Sequence, residues 1–177
     1  MNKKKIYTVT AVILLIALYI VIFCFSAENG ESSSDISGRF TQAILDLYHR
    51  IRGITKIPEG TAAGDVLSLE GIIRKLAHFG EYMCMGFLSY SLVMLWYRPL
   101  WRGGFLVVLQ LLVSASLDEF HQYFVPGRNA SIRDVMIDVA GGITGILIIV
   151  ICQGIRKGCG FIRRMLVSSK KEMTRRL

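Results

Sequence analysis

This chain lacks most of the patterns that announce soluble chemistry. Its four cysteines, Cys24, Cys84, Cys152 and Cys159, form no Cys-x-x-Cys pair and show no secreted-scaffold spacing. All lie in or beside apolar segments, where a thiol acts as a small packing residue. No His-Glu-x-x-His helix is present, and only His78 of the three histidines falls well placed among acids, so no metal site and no cofactor are expected. No Gly-x-Ser-x-Gly segment exists to present a serine nucleophile. No internal repeat is found, which weighs against a transporter. The basic C-terminal segment lacks interleaved aromatics, which argues against nucleic acid as a partner.

What is present is apolar sequence gathered into blocks. Hydrophobic residues make up 53% of the 177 positions, above the roughly 45–50% of soluble domains. Ile6 to Phe25 runs without a charge after Lys3, Lys4 and Lys5, and about 20 such residues suffice to span a bilayer. A cleavable signal peptide has a core of about 7–15 apolar residues, and Phe25 stands where signal peptidase prefers a small residue, so this is read as an uncleaved first span. Further runs cover about 72–97, 103–124 and 134–155. Ser68 is the expected N-cap of the second. The fold class expected is all-α: a small integral membrane bundle of four transmembrane helices over residues 1–155, followed by a basic tail, 156–177.

Between the first two spans, Ile36, Phe40, Ile44, Leu47 and Ile51 recur at spacings of three or four. They predict an amphipathic helix capped by Ser34 or Asp35 and closed by Gly53. Lying in the headgroup layer and covering the bundle are both open to it. The tail has its own apolar residues, including Phe161 and Leu166, with which to rest on an anionic leaflet.

Charge orients the whole. The N-terminal lysines, Arg98, Arg102 and the segment after Ile155 hold thirteen basic residues and one acid, against eight and twelve elsewhere. Lys and Arg collect in cytoplasmic segments, so both termini are expected to be cytoplasmic. The start of span two, the end of span three and the start of span four then share the outer face.

That face gathers polar residues which hydrocarbon tolerates poorly, at roughly 2.5–3.5 kcal/mol for a charge mid-helix. Lys75, His78 and Tyr82 share a stripe of one helix with Glu81 at its edge. Asp118, Glu119 and Gln122 end the next. Val125-Pro126-Gly127 makes a turn that is expected to bring Arg128 back over the carboxylates. Asp134 and Asp138 lie four apart on the last span, with Gly141, Gly142 and Gly145 continuing down the same side for close helix approach. His121 faces away from Asp118. These ten residues, Lys75, His78, Glu81, Tyr82, Asp118, Glu119, Gln122, Arg128, Asp134 and Asp138, are the expected ligand-binding set. Acid–base pairs that merely lock the bundle are the competing account. Were the site catalytic, His78, Glu81, Asp118 and Glu119 would be the groups to carry protons.

Lys75-x-x-His78-Phe79-x-Glu81-Tyr82, the long Asp118-Glu119-x-x-Gln122-x-Phe124-x-Pro126-Gly127-Arg128, and Asp134-x-x-x-Asp138-x-x-Gly141 together resemble the VanZ-like family of membrane proteins. The Phe25-Ser26 exit from the first span fits as well. Asn is common in that family at the place of Asp138. The family takes its name from a protein associated with low-level resistance to the lipoglycopeptide teicoplanin. The resemblance thus implies a bacterial envelope setting and plasma-membrane location, but no reaction. Two functions are expected from residues and resemblance together. One is binding of an amphiphile: a membrane lipid, a lipid-linked envelope molecule or a lipoglycopeptide. The other is an intramembrane enzyme acting on a lipid-linked or glycolipid substrate through His78 and Glu119.

Overall fold

The computed structural model describes residues 2–27, 63–97 and 100–175, with Arg39 and Ala43 as isolated positions. The predicted amphipathic helix and its caps fall almost entirely outside the described residues. Four helices are seen among the described residues: α1 (Lys3–Ala27), α2 (Ala63–Trp96), α3 (Leu100–Gln122) and α4 (Ile132–Arg175). No strand occurs among the described residues. The protein is an all-helical membrane bundle.

Three of these helices, α1, α3 and the first part of α4, are long and apolar enough to cross a membrane. In hydrocarbon every backbone donor needs an internal partner, which a helix supplies. Four spans were expected on apolarity; α2 falls outside that set, and it carries Arg74, Lys75, His78 and Glu81. Only 11% of the most apolar stretch of α1 is buried. Its outward Ile13, Ile16, Ile20 and Phe23 would be costly in water, at about 25 cal/mol per Å², and cost nothing against lipid tails.

Helix ends differ from the sequence expectation in three places. α2 begins at Ala63, so Ser68 lies inside it rather than capping it. α4 begins at Ile132 rather than Asp134; its apolar stretch, Ile132–Arg156, agrees with the expected span, and the helix itself continues to Arg175. The apolar pattern stops at 155, but the Lys, Arg, Met and Leu residues beyond are good helix formers and no proline interrupts them. α3 ends at Gln122, where Tyr123 and Phe124 turn off on backbone bonds to Glu119 and His121.

The helices run alternately up and down. Trp96 near the end of α2 donates to Thr8 near the start of α1 (2.9 Å), while Tyr19 and Ser114 meet between α1 and α3 (2.9 Å). The core joins Ile22, Tyr82, Met85, Tyr90, Val107, Leu111, Ala115 and Ile149. α2 and α4 pack backbone to backbone, as the glycine spacing predicts. A Cβ on Gly141 would strike the Phe79 carbonyl, and one on Gly145 the Met83 carbonyl; opposite them, a Cβ on Gly86 would strike Gly142. Absence of side chains here lets the two helices come close enough to share a site at their far end.

Candidate functional site: a polar cavity at one end of the bundle

The end of α1 (Phe25), the start of α2, the end of α3 and the start of α4 meet at the end of the bundle away from the N-terminus. The local sequence explains the meeting. Val125 accepts a bond from the Arg128 N–H (3.2 Å) across Pro126 and Gly127, and Gly127 has φ 76°. Proline at the second position and a left-handed glycine at the third are the requirements of a type II turn.

Ser131 then caps α4. Its carbonyl accepts the Asp134 and Val135 N–H groups (3.0 and 3.3 Å), and its Oγ accepts the Arg133 N–H (3.2 Å). The Ser131 N–H itself donates to Glu119 Oε2 (2.7 Å). A glutamate of the neighbouring helix thereby takes the place that an acid three residues on holds in a capping box. Neither Ser131 nor this use of Glu119 was foreseen, although Ser131-x-x-Asp134 carries the cap signal.

A cavity of about 230 Å³ lies between α2, α3 and α4. Seven of the ten expected residues line it: Lys75, His78, Glu119, Gln122, Arg128, Asp134 and Asp138. Three do not. Tyr82 is turned into the core at 1% exposure, because a ring one turn below His78 meets the packed middle of the bundle. Asp118 is buried behind the wall and accepts a bond from Gln122 Nε2 (3.0 Å). Glu81 stands beside His78, with Oε2 3.7 Å from Nδ1.

Gly71, Arg74, Gly127, Asn129 and Ile137 complete the lining and were not in the expected set. Arg74 was legible: four residues before His78, it shares the same helical face. Ser26, the last turn of α1, is fully buried with its Oγ unpartnered.

Arg128 does turn back toward the bundle. Its described bonds reach the Phe25 carbonyl (2.7 Å) and Gln122 Oε1 (3.3 Å), tying the end of α1 to the end of α3. Lys75 Nζ pairs with Asp134 Oδ1 at 2.9 Å across α2 and α4, both half-exposed. His121 lies away from the cavity, its ring 4.8 Å from that of Phe23 on α1. His78, Asp118 and Asp138 place one ligand atom each within 4.8 Å of the others, a grouping contributed by three helices and invisible in spacing. The four cysteines are free and exposed.

Basic Arg74, Lys75 and Arg128 face acidic Glu119, Asp134 and Asp138 across a small recess. Such an arrangement receives a headgroup carrying both negative charge and hydroxyl or amide donors. The fold and site together define a small helical membrane protein with a mixed-charge recess at one end of its helices. A family model, VanZ/LLP1, matches residues 11–153. The chain belongs to the VanZ/LLP1 family, and the match runs from the middle of α1 to the point where α4 nears the end of its apolar stretch. No curated protein and no solved structure matches it.

Proposed function

We propose that this protein binds the headgroup of an amphiphile in the recess, at the outer face of the bacterial plasma membrane. Charge bias supports the topology: all helices cross, α2 among them, and both termini are cytoplasmic. The observation that carries the reading is the facing of Arg74, Lys75 and Arg128 against Glu119, Asp134 and Asp138 in one cavity between membrane helices. At about 230 Å³, the space is below the ~300–1,000 Å³ of whole-ligand pockets. It takes a phosphate or carboxylate with neighbouring sugar or amide groups, and leaves an acyl chain outside against the apolar helix faces. Lipid-linked wall intermediates and anionic lipids have this form. So do lipoglycopeptides of the teicoplanin type, and a contribution to tolerance of them belongs to the same reading.

The enzymatic alternative loses ground on one contact. Glu119 Oε2 accepts the Ser131 N–H, so this carboxylate positions a helix start and is less available as a general base.

Lipid analysis of the purified full chain tests the binding reading. Wild type is expected to retain an anionic amphiphile enriched over the bulk membrane, and Arg74→Gln with Lys75→Gln to lose it while remaining folded. The same lipid profile in wild type, variant and bulk membrane would sink the proposal.

A further inference from the structure

At the inner wall of the cavity, α2, α3 and α4 each deliver one potential ligand. Atoms of His78, Asp118 and Asp138 all lie within 4.8 Å of one another. Asp118 and Asp138 are buried, and Asp138, at 2% exposure, borders the cavity. Asp118 receives the Gln122 amide. The buried Nδ1 of His78 has no hydrogen-bond partner among the described residues. The nearby cation Lys75 is committed to Asp134. A carboxylate as deep as Asp138 is strongly unfavourable as an ion, and here it lies close to a second carboxylate and an imidazole.

The geometry points to a divalent transition cation, of the Mn²⁺ or Zn²⁺ class, held by a ring nitrogen of His78 and one oxygen each of Asp118 and Asp138. Two carboxylates and a doubly charged ion cancel, which removes the burial problem at both acids together. Donors at about 2.0–2.2 Å from one ion stand up to about 4.4 Å apart, so small side-chain adjustments close the site. An imidazole in the set favours Mn²⁺ or Zn²⁺ over Mg²⁺ and Ca²⁺, which take oxygen ligands. Glu81 Oε2 stands 3.7 Å from His78 Nδ1, beyond a hydrogen bond but within a small shift of the outer-shell contact that carboxylates make to a metal-bound imidazole. Asp138 and His78 both border the cavity, so the open coordination positions face it. An anionic oxygen entering the recess would meet the ion there.

The cation site stands on these contacts and holds whether or not the recess takes an amphiphile; metal binding and lipid retention are therefore measured separately. The full chain, carrying a tag without histidine, is purified in detergent, stripped with a chelator and titrated with Mn²⁺ by electron paramagnetic resonance. One Mn²⁺ per chain is expected, with ¹⁴N modulation in the spin-echo spectrum and displacement by Zn²⁺. Asp138→Asn and His78→Gln should each weaken binding by at least about tenfold, since even outer-shell losses cost about 10–100-fold. Arg133→Gln, outside the cavity, should bind as wild type does. No bound Mn²⁺ at millimolar concentration, bound Mn²⁺ without nitrogen modulation, or equal affinity in Asp138→Asn would overturn the site. Should the variants fail to fold, the nitrogen modulation of wild type decides alone.

Discussion

At the end of the bundle where α1 begins, Tyr7 donates to Ser91 (2.8 Å), Trp96 donates to Thr8, and the Lys4 ammonium rests 3.9 Å from the centre of the Trp96 ring. The groove there, about 420 Å³, is lined chiefly by Tyr7, Phe87, Met94, Leu95 and Ile149. At the other end, Asp118, Glu119, Gln122 and Asp138 are buried, and an ion pair, a glutamate-held helix start and an arginine on a helix carbonyl join all four helices. The first end uses exposed hydroxyl and indole contacts and one exposed cation on an aromatic ring, whose loss costs little. The second confines charge in a dry place, which stability alone does not require: apolar side chains of the same volume commonly serve a bundle as well or better. The contrast is the ground for placing the proposed binding at the charged end.

Breaking that contrast altogether requires moving the helices apart. Gly145→Ile drives a branched side chain into the Met83 carbonyl, and overpacking costs about 1–3 kcal/mol or more. Thermal unfolding in detergent should show the loss, together with release of any bound lipid. Gly154→Ile, with nothing within 4 Å of its Cβ, should melt as wild type does.

A smaller effect separates anchoring from charge. Glu119→Ala leaves the Ser131 N–H without its acceptor and should cost about 1–3 kcal/mol. Glu119→Gln keeps an oxygen in place and should restore most of that stability. Equal losses in the two variants would show that the carboxylate's charge, and not the helix start, is what matters.

Lys75→Met removes a half-exposed ion pair and should change stability by no more than about 1 kcal/mol, yet it strips a cation from the recess and should reduce ligand retention. The smallest effect belongs to the opposite end. Tyr7→Phe loses one exposed hydroxyl contact, worth about 0.5–1.5 kcal/mol at most, and should leave ligand and metal binding untouched. A clear binding defect in Tyr7→Phe would erase the division between the ends.

Much of this arrangement was readable in the chain. Blocks of apolar residues predicted the helices, and the alternation of chain direction brought Lys75, His78, Glu119, Gln122, Asp134 and Asp138 to one end as expected. The glycines of α4 were legible because three- and four-residue spacings define a helix face. Other features depend on atoms that meet only in space. Nothing in the spacing of Glu119 and Ser131 says that a side chain of one helix accepts the first N–H of another. Arg128 was expected over carboxylates and does line the cavity with Glu119, Asp134 and Asp138; that it also bonds to Phe25 and Gln122 was not legible, because the turn that aims it at the end of α1 shows only in space. Tyr82 was placed by its stripe with His78, but depth along the helix, which periodicity does not report, turned it into the core. The expected fourth span, 134–155, agrees with the apolar stretch Ile132–Arg156; that the helix itself runs on to Arg175 was not legible, because loss of hydrophobicity marks the edge of a membrane and not the end of a helix.

The link between Arg128 and the Phe25 carbonyl spans 103 positions of the chain. Helix α1 is the first to leave the ribosome and the least gripped by its neighbours. Its tie to the loop after α3 can therefore form only once that loop has been synthesised, whatever contacts it has already made with α2. Only then does the latch close. The recess is thus a late product of biogenesis, and a chain truncated before residue 128 would insert its early helices without ever assembling the place where a ligand could bind.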